Sequence, residues 1–117
     1  MRWSGLRDYK LYLYDIKEAI EKIESFTKDF TYEEFVQDVK TIDAVIRNLG
    51  IIGEAAKHIS KRFQQKHSDI DWTAIIGMRN IIVHEYFGVK LEIIWKTVKD
   101  RLPGLGKKFA SILKEET

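Results

Sequence analysis

The sequence predicts an all-α fold: an antiparallel up-and-down four-helix bundle with a short fifth helix at the C-terminus. Three observations carry that prediction. The single proline is Pro103, and neither glycine nor proline occurs from Leu6 to Leu49, a span that a β-rich chain with its frequent turns could not sustain. Apolar residues recur at alternating spacings of three and four, the period of a helix face turned toward a core. Only short polar breaks separate these stripes, and short connections join antiparallel neighbours.

In chain order, Tyr9, Leu13, Ile16, Ile20 and Ile23 form the stripe of a first helix ending near Phe26 to Asp29, with Lys10, Glu18 and Glu21 on its opposite face. The second helix starts at a clear signal. Thr31-Tyr32-Glu33-Glu34 has the capping-box spacing, and Phe30 and Phe35 flank it at hydrophobic-staple positions. Phe35, Val39, Ile42, Ile46, Leu49, Gly53, Ala56 and Phe63 then continue one stripe, predicting a single helix of about 30 residues that bends near Gly50. The small residues Gly53 and Ala56 would let another helix approach closely. After the polar stretch from Gln64 to Asp71, a third helix takes Ser68 or Asp71 as N-cap and Trp72, Ile75, Ile76, Ile82 and Val83 as its apolar positions, stopping near Gly88. Leu91, Ile94, Trp95, Val98 and Leu102 mark the fourth; beyond the Pro103-Gly104 break, Leu105, Phe109 and Ile112 support the short fifth.

With 117 residues, 44% of them hydrophobic, the chain fits one domain over 1–117, small enough that a second copy would add stability. Twenty Lys and Arg against 18 Asp and Glu leave a net charge of only +2, so a site for a polyanion has to be local. The absence of cysteine removes disulfides, thiolate chemistry and cysteine-ligated zinc, and fits a reducing cytoplasm. Met1-Arg2-Trp3-Ser4-Gly5 runs straight into charged residues without an export signal, and no apolar run approaches the ~18 residues of a membrane span. A cytoplasmic protein without membrane association is the expectation.

One segment departs from the amphipathic regularity. Gly77-Met78-Arg79-Asn80-Ile81-Ile82-Val83-His84-Glu85-Tyr86-Phe87-Gly88 places Arg, Asn, His and Tyr on an otherwise apolar helix. Arg79 and His84 are separated by roughly 140° around the axis and about 7.5 Å along it, so they do not form a same-face pair. Asn80 and His84 are neighbours at i and i+4, and Arg79 and Tyr86 share another stripe at i and i+7. A two-fold axis would bring both edges together in a composite site. Histidine titrates near neutrality and moves protons, and arginine offers a fixed planar fork to charge growing on phosphorus. The pair suits metal-independent RNA cleavage, in which a 2′-hydroxyl attacks the neighbouring phosphate and leaves a 2′,3′-cyclic phosphate.

The run Arg79-Asn80, three variable residues, His84-Glu85-Tyr86 resembles the motif of HEPN-superfamily ribonucleases of the HepT type (the DUF86 family). Asp71-Trp72, Ile75-Ile76-Gly77-Met78, Tyr86-Phe87-Gly88-Val89 and Gly53-Glu54-Ala55-Ala56-Lys57 are similar to it as well. The resemblance implies a dimerising helical bundle whose Arg79 and His84, assisted by Asn80, face a shared cleft that cuts RNA such as tRNA or mRNA, without a cofactor. It implies the toxin of a type VII toxin–antitoxin pair, partnered by a minimal nucleotidyltransferase antitoxin (MntA-like) that transfers AMP to Tyr86. Phosphate added two residues from His84 would put negative charge where RNA phosphate must sit. The likeness also sets Glu54 at the border of the cleft, and Lys57 and Lys61 are candidate supporting residues for RNA there.

Blander readings stand beside these. A lone histidine on an apolar helix is more often a packed residue than a catalyst, Arg79 reads as a surface ion-pair partner of Glu85 or Glu54, Asn80 as a backbone cap, and Tyr86 as a core-edge aromatic. Lys57, His58, Lys61, Arg62, Lys66 and His67 form a basic run that complements a helix dipole as readily as it makes an RNA track. Glu54 has surface-pair spacing to Lys57 and His58. Gly50-Ile51-Ile52-Gly53 has the spacing of a KH loop but lies within a helical stripe, and His58, His67 and His84 lack mutual metal-ligand spacing. Two functions from different classes remain: the ribonuclease toxin, and a non-catalytic HEPN module that binds a nucleotidyltransferase and presents substrate or nucleotide to it. The complete Arg-Asn-His-Tyr set favours the first.

Overall fold

The computed structural model describes residues 9–85 and 91–116, the side chains of 80–85 and 116 excepted. The described residues are helical with no strand among them. Helix α1 (Tyr9–Thr27) buries Leu13, Ile16, Ile20 and Ile23 completely, the stripe its sequence spaces out. Thr31 then caps α2 (Tyr32–Phe35) in a full capping box: Glu34 N donates to Thr31 Oγ1 at 3.1 Å, and Thr31 N donates to Glu34 Oε1 at 2.9 Å. Phe35 is fully buried behind it.

The single long second helix is not what forms. The stretch divides into α2, α3 (Val39–Lys57) and α4 (Lys61–Lys66). Asp38 and Ser60 cause the two interruptions, because each adopts an extended conformation and turns its side-chain oxygen onto a backbone N–H of the following helix, that of Thr41 and that of Phe63. The interruption shifts the phase of the stripe. Val39, a predicted core position, is 68% exposed as the first residue of α3, whereas Val45, Leu49, Ile52 and Ala56 face inward.

Helix α5 (Trp72–Glu85) begins at Asp71, whose Oδ1 accepts from Ala74 N at 3.1 Å, so Asp71 rather than Ser68 is the cap. Trp72 and Ile75 are buried and Ile76 packs on the core. Ile82 and Val83 have side chains outside the described set, and the expected stop near Gly88 lies outside the described residues. Helix α6 (Leu91–Lys96) passes through a five-residue π-helical segment, Thr97–Arg101, directly into α7 (Leu102–Glu116). Pro103 therefore does not break the chain into a fourth helix and a separate short fifth. Proline lacks an N–H and its ring crowds the carbonyl four residues back, here that of Lys99. The widened turn absorbs both problems, with Leu102 N–H reaching back to Thr97 O.

Named contacts give the directions of the long helices. Tyr9 and Tyr12 on α1 meet Phe63 and His58 beyond and at the end of α3. Gly53 on α3 meets Ile75 and Arg79, while Trp72 meets Phe63. Lys99 Nζ donates to Thr27 O at 2.9 Å, and Gly106 lies against Ile20. Trp72 sits edge-on to Phe109 at 5.7 Å. In each pair, one helix runs forward as the other runs back, which is the predicted antiparallel bundle. Its buried apolar residues form one continuous cluster drawn from α1, α2, α3, α5, α6, the π-helical segment and α7. No described helix is long and apolar enough to cross a membrane.

Candidate functional site

The site forms where α3 crosses α5, and its position follows from a missing side chain. A Cβ placed on Gly53 would lie 2.9 Å from both Arg79 Cβ and Arg79 N, and 3.2 Å from Ile75 O. Only glycine lets the two backbones touch there. The root of Arg79 is thereby pressed onto α3, one residue from Glu54.

From that root Arg79 extends along the surface until its Nε stands 2.7 Å from Glu54 Oε1. Glu54 Oε1 is sealed from solvent, although the glutamate side chain as a whole is 45% exposed and that of Arg79 is 40% exposed. The N–H is not aligned on the oxygen as in a well-formed hydrogen bond, so the contact is chiefly a close charge pair. The second carboxylate oxygen, Oε2, lies 3.1 Å from His58 Nε2. The His58 ring in turn stacks on Tyr12 of α1, with centroids 5.1 Å apart and planes inclined by 17°. Tyr12, His58, Glu54 and Arg79 thus form a continuous series across three helices, half open to solvent.

Of the residues singled out in the sequence, the structure brings Arg79 and Glu54 together. It realises the surface ion pair anticipated for Arg79 with Glu54 as partner, and the i, i+4 pairing of Glu54 with His58. Lys57 and Lys61 are exposed at the end of α3 and the start of α4, and among the described residues neither pairs with Glu54 or Arg79. Positions 80 and 84 lie on the continuous backbone of α5; the side chains of Asn80 and His84, and Tyr86 altogether, lie outside the described residues. Tyr12 is the contributor that sequence reasoning missed. It sits off the core stripe of α1, and nothing in the local pattern ties it to a residue on α3. Among the described residues no three His, Asp or Glu side chains converge on a metal position.

A surface hollow of about 860 Å³ lies elsewhere, between α2 and the start of α3, lined by Asp29, Glu33, Glu34 and Asp38 together with Lys40. Its acidic lining would repel a polyanion.

The family model for Ribonuclease HepT-like proteins matches residues 16–112. The chain belongs to the HepT-like ribonuclease family. A relative from Thermococcus cleftensis named "Probable ribonuclease HepT" is 48% identical over 92% of this chain and 98% of its own length. A "Putative RNase" from Methanocaldococcus jannaschii is 43% identical, covering 86% of this chain and 93% of the relative. Another from Caldanaerobacter subterraneus subsp. tengcongensis is 42% identical, covering 90% and 94%. No solved structure matches the chain with comparable significance. The HepT-like family is the one that the Arg79-to-Tyr86 motif resembled.

Proposed function

We propose that this chain is a metal-independent endoribonuclease and the toxin of a type VII toxin–antitoxin pair. The single observation that carries the reading is Arg79, a half-exposed guanidinium rooted at a helix crossing, on the same helix as His84. Membership of a ribonuclease family supports it. The 2′-hydroxyl of the substrate RNA attacks the adjacent phosphorus, its proton passes to a base, and the 5′-oxygen leaves as it takes up a proton, giving a 2′,3′-cyclic phosphate and a 5′-hydroxyl. His84 exchanges these protons, and Arg79 stabilises the charge growing on the phosphoryl oxygens, with Asn80 supporting His84 one turn away. Two copies of the chain form the cleft, since one helix holds Arg79 and His84 on different edges. A minimal nucleotidyltransferase antitoxin silences the site by transferring AMP to Tyr86.

The pairing of Arg79 with Glu54 is the observation that favours the second reading, a non-catalytic module that binds a nucleotidyltransferase and in which Arg79 serves only an ion pair. One experiment separates the two. Purified protein is incubated with total RNA and defined tRNAs in EDTA beside His84→Ala. Cleavage by the wild type that the variant lacks is the expected result. Intact RNA under both proteins would leave the binding module.

A further inference from the structure

Charge pairs between exposed side chains are common and contribute little to stability. The Glu54 pair differs from such a contact in three respects. It spans two helices rather than one turn of one helix. Its Oε1 is shielded from water, where the attraction is less screened. Its other oxygen is gripped by a histidine whose ring is itself stacked on Tyr12. Lys57, three residues from Glu54 on the same helix, is exposed and makes no pair with it.

We propose that Glu54 is a positioning residue that aims Arg79, with His58 and Tyr12 holding Glu54 in turn. The inference rests on the ribonuclease reading and extends it. An arginine side chain has several freely rotating bonds, and ordering them costs entropy that a reacting phosphate would otherwise have to repay. Here the side chain is fixed at both ends of its aliphatic stem. Its Cβ is pinned where Gly53 admits α5, and its Nε is held by Glu54 Oε1. The side chain stays 40% exposed, and its two terminal amino groups are the pair that a phosphoryl group accepts from in a forked contact. The orientation of the carboxylate matters for this, and His58 Nε2 on Oε2 fixes its plane.

The arrangement carries a cost that makes it testable. A carboxylate beside the guanidinium repels the phosphate the guanidinium is meant to receive, so Glu54 weakens RNA binding in the ground state while improving the geometry of the transition state. Removing its charge without changing its shape should move binding and turnover in opposite directions. A merely structural residue would not do that.

The test uses the full chain and the Glu54→Gln, His58→Ala and His58→Gln variants. The Nε–H of Arg79 is followed by proton–nitrogen NMR, assigned by its loss in Arg79→Lys. Kinetics use an RNA that the wild type cleaves, and affinity uses the same RNA blocked by 2′-O-methyl groups. The expected result is a wild-type Nε resonance displaced by the adjacent carboxylate and returned toward that of a free arginine in Glu54→Gln. Turnover in Glu54→Gln should fall by about 10- to 100-fold, with the blocked RNA bound more tightly than by wild type. His58→Ala should lose part of the turnover and His58→Gln, which can still donate to Oε2, should recover it. Unchanged turnover in Glu54→Gln, or turnover and affinity falling together, would overturn the proposal. If the wild type cleaves no RNA, the ribonuclease reading has failed, and the Nε–H alone decides the positioning claim. A displaced Nε resonance that depends on Glu54 and His58 sustains it, and one at the position of a free arginine removes it.

Discussion

Gly53 and Gly50 lie three residues apart on α3, and replacing each by alanine should change stability with opposite sign. Both substitutions gain helix propensity, about 0.8–1.0 kcal/mol in favour of alanine at an interior position. At Gly50 the new methyl meets nothing within 4 Å, so the gain stands alone. At Gly53 it would stand 2.9 Å from Arg79 N and Cβ and 3.2 Å from Ile75 O. Two of those three atoms are backbone and the third is a Cβ, so none can swing aside as a long side chain could, and α5 must move. Forcing a methyl into a packed contact costs about 1–3 kcal/mol. Since the propensity gain is common to both variants, the difference between them isolates that cost. It should amount to about 1–3 kcal/mol, which for a chain of this length is a gap in melting temperature of several times about 4 °C at its upper end. Urea and thermal denaturation followed by far-ultraviolet circular dichroism, at one protein concentration, measure it. Equal stability of the two variants would show that α3 and α5 are not in backbone contact at Gly53, and the account of how Arg79 is rooted would fall with it.

Other outcomes follow from the same structure. Arg79→Ala and Arg79→Lys should both abolish RNA cleavage with helical content unchanged, the lysine failing because it lacks the planar fork; a fully active lysine variant would leave only a point charge to explain. Co-expression with the cognate nucleotidyltransferase should yield protein heavier by whole AMP units at the Tyr86 peptide, while Tyr86→Phe stays unmodified and keeps cleaving. Modification mapped to Tyr9, Tyr12, Tyr14 or Tyr32 would contradict this. Sedimentation at micromolar concentration should give the mass of a dimer, and a strictly monomeric mass would remove the composite cleft. Thr31→Ala should cost about 1 kcal/mol in chemical denaturation, because it removes the acceptor of the capping box.

How far the sequence could be read depended on whether each signal was local. The start of α2 was legible because a capping box is written in four consecutive residues, and the stripe of α1 because periodicity needs no partner. The division of the second helix was not. Val39 continues the apolar spacing, but Asp38 satisfies Thr41 N with its own carboxylate, a competition that the apolar pattern does not register. Pro103 was misread for a related reason: proline breaks an α-helix, but the sequence does not show that a wider turn accommodates it. At the site, Arg79, Glu54 and the Glu54–His58 spacing could be picked out. The stacking of Tyr12 on His58 could not, because it depends on which faces of α1 and α3 meet, and that is settled only once the core residues of both have packed.

The segment Thr97–Arg101 has a bearing on how this chain tolerates changes of length. A π turn closes its hydrogen bond over one residue more than an α turn, so the segment holds, in effect, one surplus residue inside an otherwise continuous helix. Deleting a residue from the middle of a packed helix ordinarily rotates everything beyond it by roughly 100° and turns its buried face to water. Here a deletion has somewhere to be absorbed. Losing one solvent-facing residue of the segment, with Pro103 replaced by alanine to restore the missing N–H, would convert the π turn to an α turn and leave Leu102, Phe109 and Ile112 facing the core as before. Once Pro103 is replaced, the C-terminal helix can therefore vary in length by one residue at a point in its interior, where most helices permit change only at their ends.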